Sequence, residues 1–376
     1  MLYAMPELSA ADLRVLDELK TMRAELGMHL RSKPRWEGQL RRSLFAAAIQ
    51  GSNTIENITI SNSDARALVE HAPLSAAASD ETQQAVVGYR DAMTYVQQAP
   101  LMDFFEYSET ALSAIHFMIT RYQPAKWPGR YRPGGIFVSS SDPLEPMYTG
   151  PDADRVPGLM GELVDWLRDG DRDAPAYARA AMAHLNLVAI HPWRDGNGRT
   201  ARALHTLVLA RTGEPAPEFS SIEEWLGEQI NTLQYYQALR VTQGGSFQPE
   251  RDARPWLTFA LTAHHRQAQR VQRRYEWTVR LWTDLARLAE DRGLAERTVS
   301  ALYAAAIGEL RRTTYQRDED LSRDRAIRDV QALTRAGLLT PHGHATGRVY
   351  VLGGVAAEIA EAAAAAVRGP GRDPYA

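Results

Sequence analysis

Residues 124–150, "PAKWPGRYRPGGIFVSSSDPLEPMYTG", form a long stretch that cannot be helix. Proline, glycine and serine recur too often for an unbroken ladder of i to i−4 hydrogen bonds. "GIFVSS" inside it is β-prone, so 129–140 reads as an extended flap or hairpin. Most of the chain on either side carries helical patterning. Leu13, Leu16, Leu19 and Leu26 recur near the 3.6-residue period over 10–26. Helices are likewise expected over 39–57, 80–99, 107–121, 155–168, 175–190 and 198–211, with Asp80 and Ser108 as N-caps. The stretch 220–239 opens with capping-box spacing, Ser221 to Glu224, and 254–288 reads as a long helix, whole or broken. A mainly α chain with a small β-hairpin flap is therefore expected.

The C-terminal part differs. "LAERTVSALYAAAIGEL" and the helix over 320–339 precede "TPHGHATGRVYVL", a short strand with a Gly-rich tip. Helices followed by a small hairpin predict a winged helix-turn-helix domain. The last twenty residues, rich in Ala, Gly and Pro, are expected to fray. The resulting division is 1–105 (N-terminal helical region), 106–275 (core with flap), 276–356 (winged helix-turn-helix domain) and 357–376 (flexible tail).

Charge and composition narrow the function. The net charge of −3 gives no global basic field for nucleic acid. Cysteine is absent, which excludes disulfides and zinc–thiolate sites and fits a reducing compartment. No basic-then-apolar leader opens the sequence and no run of about 18 apolar residues occurs, so a cytoplasmic protein without a membrane partner is expected. Residues 290–348 hold ten arginines against nine acids, too balanced for strong non-specific DNA affinity. Arg323, Arg325 and Arg328 on the candidate recognition helix read either as groove contacts or as a solvated face paired with Asp324 and Asp329.

The densest chemistry lies at 191–202, "HPWRDGNGRTAR". Pro192 stops the helix before it, which fixes His191 at a helix–loop junction. Gly196, Asn197 and Gly198 permit tight or left-handed backbone. A helix starts near Gly198, and its unpartnered first-turn N–H groups form an anion cradle. Arg199 and Arg202, three apart, lie on one helix face and can address the same anion. Asp195 at the rim would repel phosphate oxygens unless a cation, usually Mg²⁺, intervened. Singly, each feature has an ordinary reading as a turn, a cap or a surface pair. Together they describe a polyphosphate site with a metal ligand and a base.

This stretch resembles the signature of the Fic family, HxFx(D/E)GNGRxxR, with Trp193 where the family usually has Phe. "GRYRPGGIFVSSSDPLEPMYTGP" resembles the family's flap, a β-hairpin that aligns a target segment, here through Ile136, Phe137, Val138 and Ser139. "GSNTIEN" resembles its inhibitory motif (S/T)xxxE(G/N), with Ser52, Glu56 and Asn57 in place. "LQYYQAL" looks like the tyrosine pair of the nucleotide pocket, although Tyr235 and Tyr236 can equally be core residues.

The resemblance covers about 40–275 and implies a Fic helical core that transfers AMP from ATP to a Ser, Thr or Tyr hydroxyl of a protein target. His191 would be the base and Asp195 the Mg²⁺ ligand. Gly196, Asn197, Gly198, Arg199 and Arg202 would hold the nucleotide. Glu56 would restrain the enzyme by pairing with Arg202. Two other readings stay open at this point: a hydrolase that removes AMP at the same site, and a DNA-binding regulator that senses nucleotide. Self-modification and a homodimer are open as well.

Overall fold

The computed structural model describes residues 1–71, 79–138, 148–211, 217–343 and 348–376. Its N-terminal part holds α1 (Ala10–Leu30), α2 (Glu37–Ile55), α3 (Asn62–Val69), α4 (Asp80–Gln98) and α5 (Glu109–Thr120). Serines start four of these helices. Ser9, Ser61, Ser79 and Ser108 each accept a hydrogen bond from a backbone N–H three residues on. The expected cap Asp80 is instead the first helical residue of α4. Leu13 is 52% exposed. The buried face of α1 runs through Val15, Leu16, Leu19 and Leu26, so the apolar stripe is offset from the leucine spacing alone.

The expected flap is present in its described part. Strand β1 (Phe137–Val138) pairs antiparallel with β2 (Tyr148–Thr149), matching Phe137 with Thr149 and Val138 with Tyr148. Ser139 lies outside the described residues. Next come α6 (Val156–Asp169), α7 (Ala176–Ile190) and α8 (Asn197–Arg211). Helices α7 and α8 are buried along almost their whole length at the centre of the larger core, which α1, α2, α4, α5 and α6 complete.

The stretch expected as one helix over 220–239 is three pieces: α9 (Pro217–Ser220), α10 (Glu223–Leu226) and α11 (Gln229–Gln243). The Ser221 to Glu224 capping box does not form. Ser221 Oγ meets Glu223 instead, accepting from its N–H at 3.3 Å and donating to its carboxylate at 3.1 Å. Side chains also divert the ladder: Asn231 Nδ2 donates to the Trp225 carbonyl and Thr232 Oγ1 to that of Leu226. The break lets α10 press on α2, backbone to backbone. A Cβ at Gly51 would stand 2.1 Å from the Glu223 carbonyl oxygen, and one at Gly227 would stand 2.5 Å from Gly51 Cα.

Helix α12 (Arg254–Asp291) is unbroken and runs through the boundary expected at 275/276. Its first half completes the larger core. Its second half packs in a smaller one with α13 (Thr298–Ala306), α14 (Arg312–Asp318), α15 (Arg323–Arg335) and the hairpin β3 (Leu339–His342) to β4 (Val349–Leu352). Leu310 bridges Tyr350, adding a third short β contact. Where a flexible tail over 357–376 was expected, α16 (Gly354–Ala366) packs on α12, burying Ala356 and Ala363. Beyond it, Arg372 is paired with Glu18, and Tyr375 Oη donates to Asp12 at 2.7 Å. An Ala-rich segment with few polar signals is a good helix former once a partner surface exists. Among the described residues, no helix is long and apolar enough to cross a membrane.

Candidate active site

His191 follows the last residue of α7 with φ 49° and ψ 57°, in the left-handed region. Its N–H closes α7 on the Leu187 carbonyl at 3.0 Å. Side-chain Nδ1 lies 3.1 Å from the Val188 carbonyl, which can only accept, so Nδ1 carries the proton and Nε2 keeps a free lone pair. Burial pushes the imidazole pKa down to about 4, only partly offset by the bond to Val188. The ring is therefore neutral at pH 7, a competent base.

Below the loop, Trp193 is fully buried and stacks on His116, with centroids 4.3 Å apart and planes 4° from parallel. His116 Nδ1 accepts from Gly129 N–H at 2.9 Å, which leaves its Nε2 to donate to the Asp195 carbonyl, also at 2.9 Å. His116 thus ties α5 and the segment entering the flap to the motif loop. Burial holds its pKa near 4, so it stays neutral. The larger ring at 193 is accommodated without disturbing the helix start: Thr200 N–H reaches the Gly196 carbonyl at 2.9 Å and opens α8. Gly196 has φ +75°, and a Cβ there would fall 2.5 Å from Thr120 Cγ2.

Three motif side chains are met by partners within the chain. Asn197 holds the loop. Its Oδ1 accepts from Trp193 N–H at 3.0 Å and its Nδ2 donates to the Trp193 carbonyl at 2.8 Å, so the side chain pins the loop. Arg199 and Arg202 have different partners. Arg199, 2% exposed, lies 3.9 Å from Asp195 and 3.5 Å from Tyr122 Oη. Arg202, 1% exposed, turns instead toward the end of α2, because Ser52 and Glu56 there offer three acceptors.

That end of α2 is built around Arg202. Arg202 Nε donates to Ser52 Oγ at 2.8 Å, and one terminal nitrogen reaches both the Ser52 carbonyl at 3.0 Å and Glu56 Oε1 at 2.8 Å. Burial works against the guanidinium charge, but Glu56, together with Tyr235 and Tyr89, outweighs it and holds the pKa above the ordinary arginine value. Glu56 also covers the start of α8: a Cβ at Gly198 would lie 2.6 Å from Glu56 Oε1. The carboxylate thus sits where the helix start favours an anion. Asn57 takes φ 59° and reverses the chain, with Ile58 N–H bonded to the Asn53 carbonyl at 3.0 Å. Tyr236 Oη donates to the Ile55 carbonyl at 3.1 Å, bracing the last turn from α11.

A cavity of about 240 Å³ opens among these groups. Glu56, His191, Asp195, Gly196, Asn197, Gly198, Tyr235 and Tyr236 line it, with Ile136, Phe137, Val138 and Tyr148 of the flap. Tyr235 is both core and wall: it is 1% exposed, and its Oη is 3.0 Å from His184 Nε2. Phe137 is 65% exposed. Asp195 Oδ1 accepts from Gly196 N–H at 2.6 Å, and Oδ2 is 3.6 Å from Lys126 Nζ. Among the described residues, no three acidic or histidine side chains gather as a metal cage. One partly exposed carboxylate at an anion cradle fits a Mg²⁺ held mainly by phosphates and water, the usual mode for that ion.

Sequence reasoning missed Arg132. Its guanidinium donates to the carbonyls of His191 at 2.8 Å, Gly134 at 2.7 Å and Pro151 at 2.6 Å. Its own N–H meets the Pro192 carbonyl at 2.9 Å. One side chain therefore fastens the flap to the motif loop. Tyr148 Oη, donating to the Ala189 carbonyl at 2.5 Å, fastens β2 to the end of α7.

Residues 104–209, which contain this loop, α8 and the flap, match the family model described as the Fic/DOC family. The chain therefore contains a Fic domain. It is 28% identical over 246 residues to "Protein adenylyltransferase fic-1" of Caenorhabditis briggsae, which covers 65% of this chain and 45% of that protein. The chain thus spans about half the length of the curated relatives it matches. A Fic family protein from Desulfovibrio desulfuricans G20 shares the fold over 93% of this chain and 98% of its own, with TM-score 0.59 and 23% identity. Fic-1 of Caenorhabditis elegans superposes with TM-score 0.53 and 25% identity over 70% of this chain and 72% of the solved one. The expected helical Fic core with its small hairpin is therefore present.

Proposed function

We propose that this chain transfers AMP from ATP to a Ser, Thr or Tyr hydroxyl of a protein target, and that Glu56 restrains it. The observation that carries the reading is the free Nε2 lone pair of His191, in a cavity walled by the start of α8 and the flap. The target hydroxyl gives its proton to Nε2 as its oxygen attacks the α-phosphorus; the bond to the bridging oxygen breaks and pyrophosphate leaves. The first turn of α8 faces the charge that builds there. Asp195 would hold Mg²⁺, which when bound offsets phosphate charge, and Lys126 would have to release the carboxylate. The exposed edge at Phe137 and Val138 offers main-chain groups to an extended target, a mode that tolerates many sequences.

Glu56 supplies the restraint. Its Oε1 lies at the cradle itself and holds Arg202 away from the cavity, so a polyphosphate must displace it. The names of the relatives support the transfer chemistry. The C-terminal α13–α15 and hairpin have the element order of a winged helix-turn-helix, which we assign to partner binding. DNA readout has less support, since residues 290–348 are nearly balanced in charge, although the expected pairing of the α15 arginines with Asp329 is not seen: Asp329 is taken by Arg297. The test is incubation of the Glu56→Gly variant with α-labelled ATP, Mg²⁺ and a cell lysate, beside the same variant carrying His191→Ala. Labelled protein in the first and none in the second is expected. Equal labelling in both would sink the assignment of His191.

A further inference from the structure

A groove of about 370 Å³ runs beside Gly134–Phe137 on the flap. It shares Ile136, Phe137 and Arg194 with the walls of the His191 cavity, so the two spaces adjoin. The backbone here is turned outward. Gly150 N–H donates to the Ile136 carbonyl at 3.1 Å, which makes the next pair, Phe137 and Thr149, a non-hydrogen-bonded one. Thr149 N–H accordingly goes elsewhere, to the Gly245 carbonyl at 2.9 Å. The N–H and C=O of Phe137 point to the far edge of β1, where no described strand pairs. A segment added at that edge passes the groove, with alternate side chains about 6.6 Å apart on one face.

The groove also carries a charge that its wall does not meet. Arg194 is exposed, and its guanidinium lies over the Trp127 ring, 5.0 Å from the centroid. An aromatic face fixes the plane of a guanidinium and leaves its N–H edges free for a carboxylate. Among the described residues, no carboxylate pairs with Arg194 and no acid lines the groove. The other cation there, Arg132, is committed to carbonyls. Asp195, next in sequence, faces Lys126 and Arg199 and lines the His191 cavity. An accessible, unpaired guanidinium beside a site read as receiving a protein hydroxyl suits an anionic neighbour of that hydroxyl.

We propose that Arg194, braced by Trp127, selects target segments that carry an Asp or Glu flanking the hydroxyl to be modified, a target class that rests on the transfer read above.

Three pools of nine-residue peptides are the probe, each centred on Ser, Thr or Tyr and flanked on both sides by Glu, Gln or Lys in an otherwise Gly–Ala sequence. With Glu56→Gly and saturating α-labelled ATP, the Glu pool should be labelled about two- to fivefold faster than the Gln pool, the size of an exposed ion pair, and the Lys pool slowest. Arg194→Gln in that background should level the Glu and Gln pools, and Arg194→Glu should put the Lys pool first. Trp127→Leu frees the guanidinium and should shrink the Glu preference without reversing it. Salt at about 0.5 M should shrink it too. If Arg194 touches only the nucleotide, both Arg194 variants slow all pools alike, and that result overturns the proposal, as does a Glu preference that survives Arg194→Glu. The same pools with Ala at the centre, followed by fluorescence anisotropy, read the groove without the transfer. Binding in the order Glu, Gln, Lys, reversed in Arg194→Glu, is expected; no binding, or equal binding of the three, overturns the site. Binding in that order with no labelling of any pool sinks the transfer reading instead and leaves the preference of the groove standing.

Discussion

Replacing Glu56 by Gly should raise AMP labelling by one to two orders of magnitude, and the size follows from what the carboxylate touches. Arg202 makes three hydrogen bonds at the end of α2, and two of them go to Ser52 and survive the change. The one lost is charge-assisted, worth about 1.5–3 kcal/mol, and the 30% exposure of Glu56 moves it toward the lower half of that range. A bias of that size leaves roughly one molecule in ten to one in a hundred open at a time. Folding stability should fall by a similar amount, because the buried Arg202 guanidinium loses its carboxylate, whereas the helix-dipole effects nearly cancel. Glu56 stands at the C-terminal end of its own helix, where an acid is disfavoured, and at the start of α8, where it is favoured, effects of about 0.3–1 kcal/mol each and opposite in sign. Glu56→Gln, which keeps an acceptor but loses the charge, should fall between. The assay is side-by-side labelling of wild type, both variants and Arg202→Ala, with thermal midpoints as a control for folding. Equal labelling of wild type and Glu56→Gly refutes the competition, and so does a gain in Arg202→Ala.

Three further outcomes follow from the same geometry. The acid limb of the labelling rate of Glu56→Gly should lie near the depressed His191 value of about 4. Removing Glu56 also deletes a charge that favours the imidazolium, so a limb centred near the ordinary 6.5 would refute the proton assignment of the ring. Arg132→Ala deletes three carbonyl contacts, one from flap to loop and two within the flap, and it should lower transfer to a protein target at least about tenfold while changing ATP affinity much less; equal loss in titration and labelling would contradict a positioning role. Folding stability should fall as pH drops from about 6.5 toward 4. Burial holds the folded-state pKa values of His116, His184, His191, His205 and His264 below the ordinary value, so the unfolded chain binds more protons in that window. Glu223, pushed up to about 7 by burial, acts in the opposite sense but is a single group, so a urea midpoint that is higher at pH 5 than at pH 7 would overturn this balance.

What could be read in advance was what the chain keeps local. His191, Pro192 and the Gly196–Asn197–Gly198 turn are contiguous, and their junction of helix, loop and helix forms as their residue types require. Glu56 was legible through a short motif, and Asn57 shows why the motif accepts Asn there: the position is left-handed. What was not legible depends on partners far along the chain. His116 supports Trp193 and the Asp195 carbonyl from 77 and 79 residues away, and nothing near "AIHFM" marks it. The loop-pinning bonds of Asn197 were not legible, because a sequence cannot show that the Trp193 backbone meets both polar atoms of that amide. The Arg199 and Arg202 spacing was correct for one helix face, but Ser52 decides where Arg202 goes, and it is 150 residues away. Likewise, α16 needed the face of α12 before its alanines had something to cover.

The contact between Gly51 and Gly227 makes the restraint easy for selection to adjust. No side chain cushions α2 against α10 there, so the height of the Glu56 helix above the nucleotide cavity is set by backbone meeting backbone. A single methyl at Gly51, 2.1 Å from the Glu223 carbonyl, would act as a shim and lift that helix without touching any reacting group. Lineages can therefore drift toward tighter or leakier enzymes through small residues remote from the chemistry, and natural variation in basal activity should be sought at this seam.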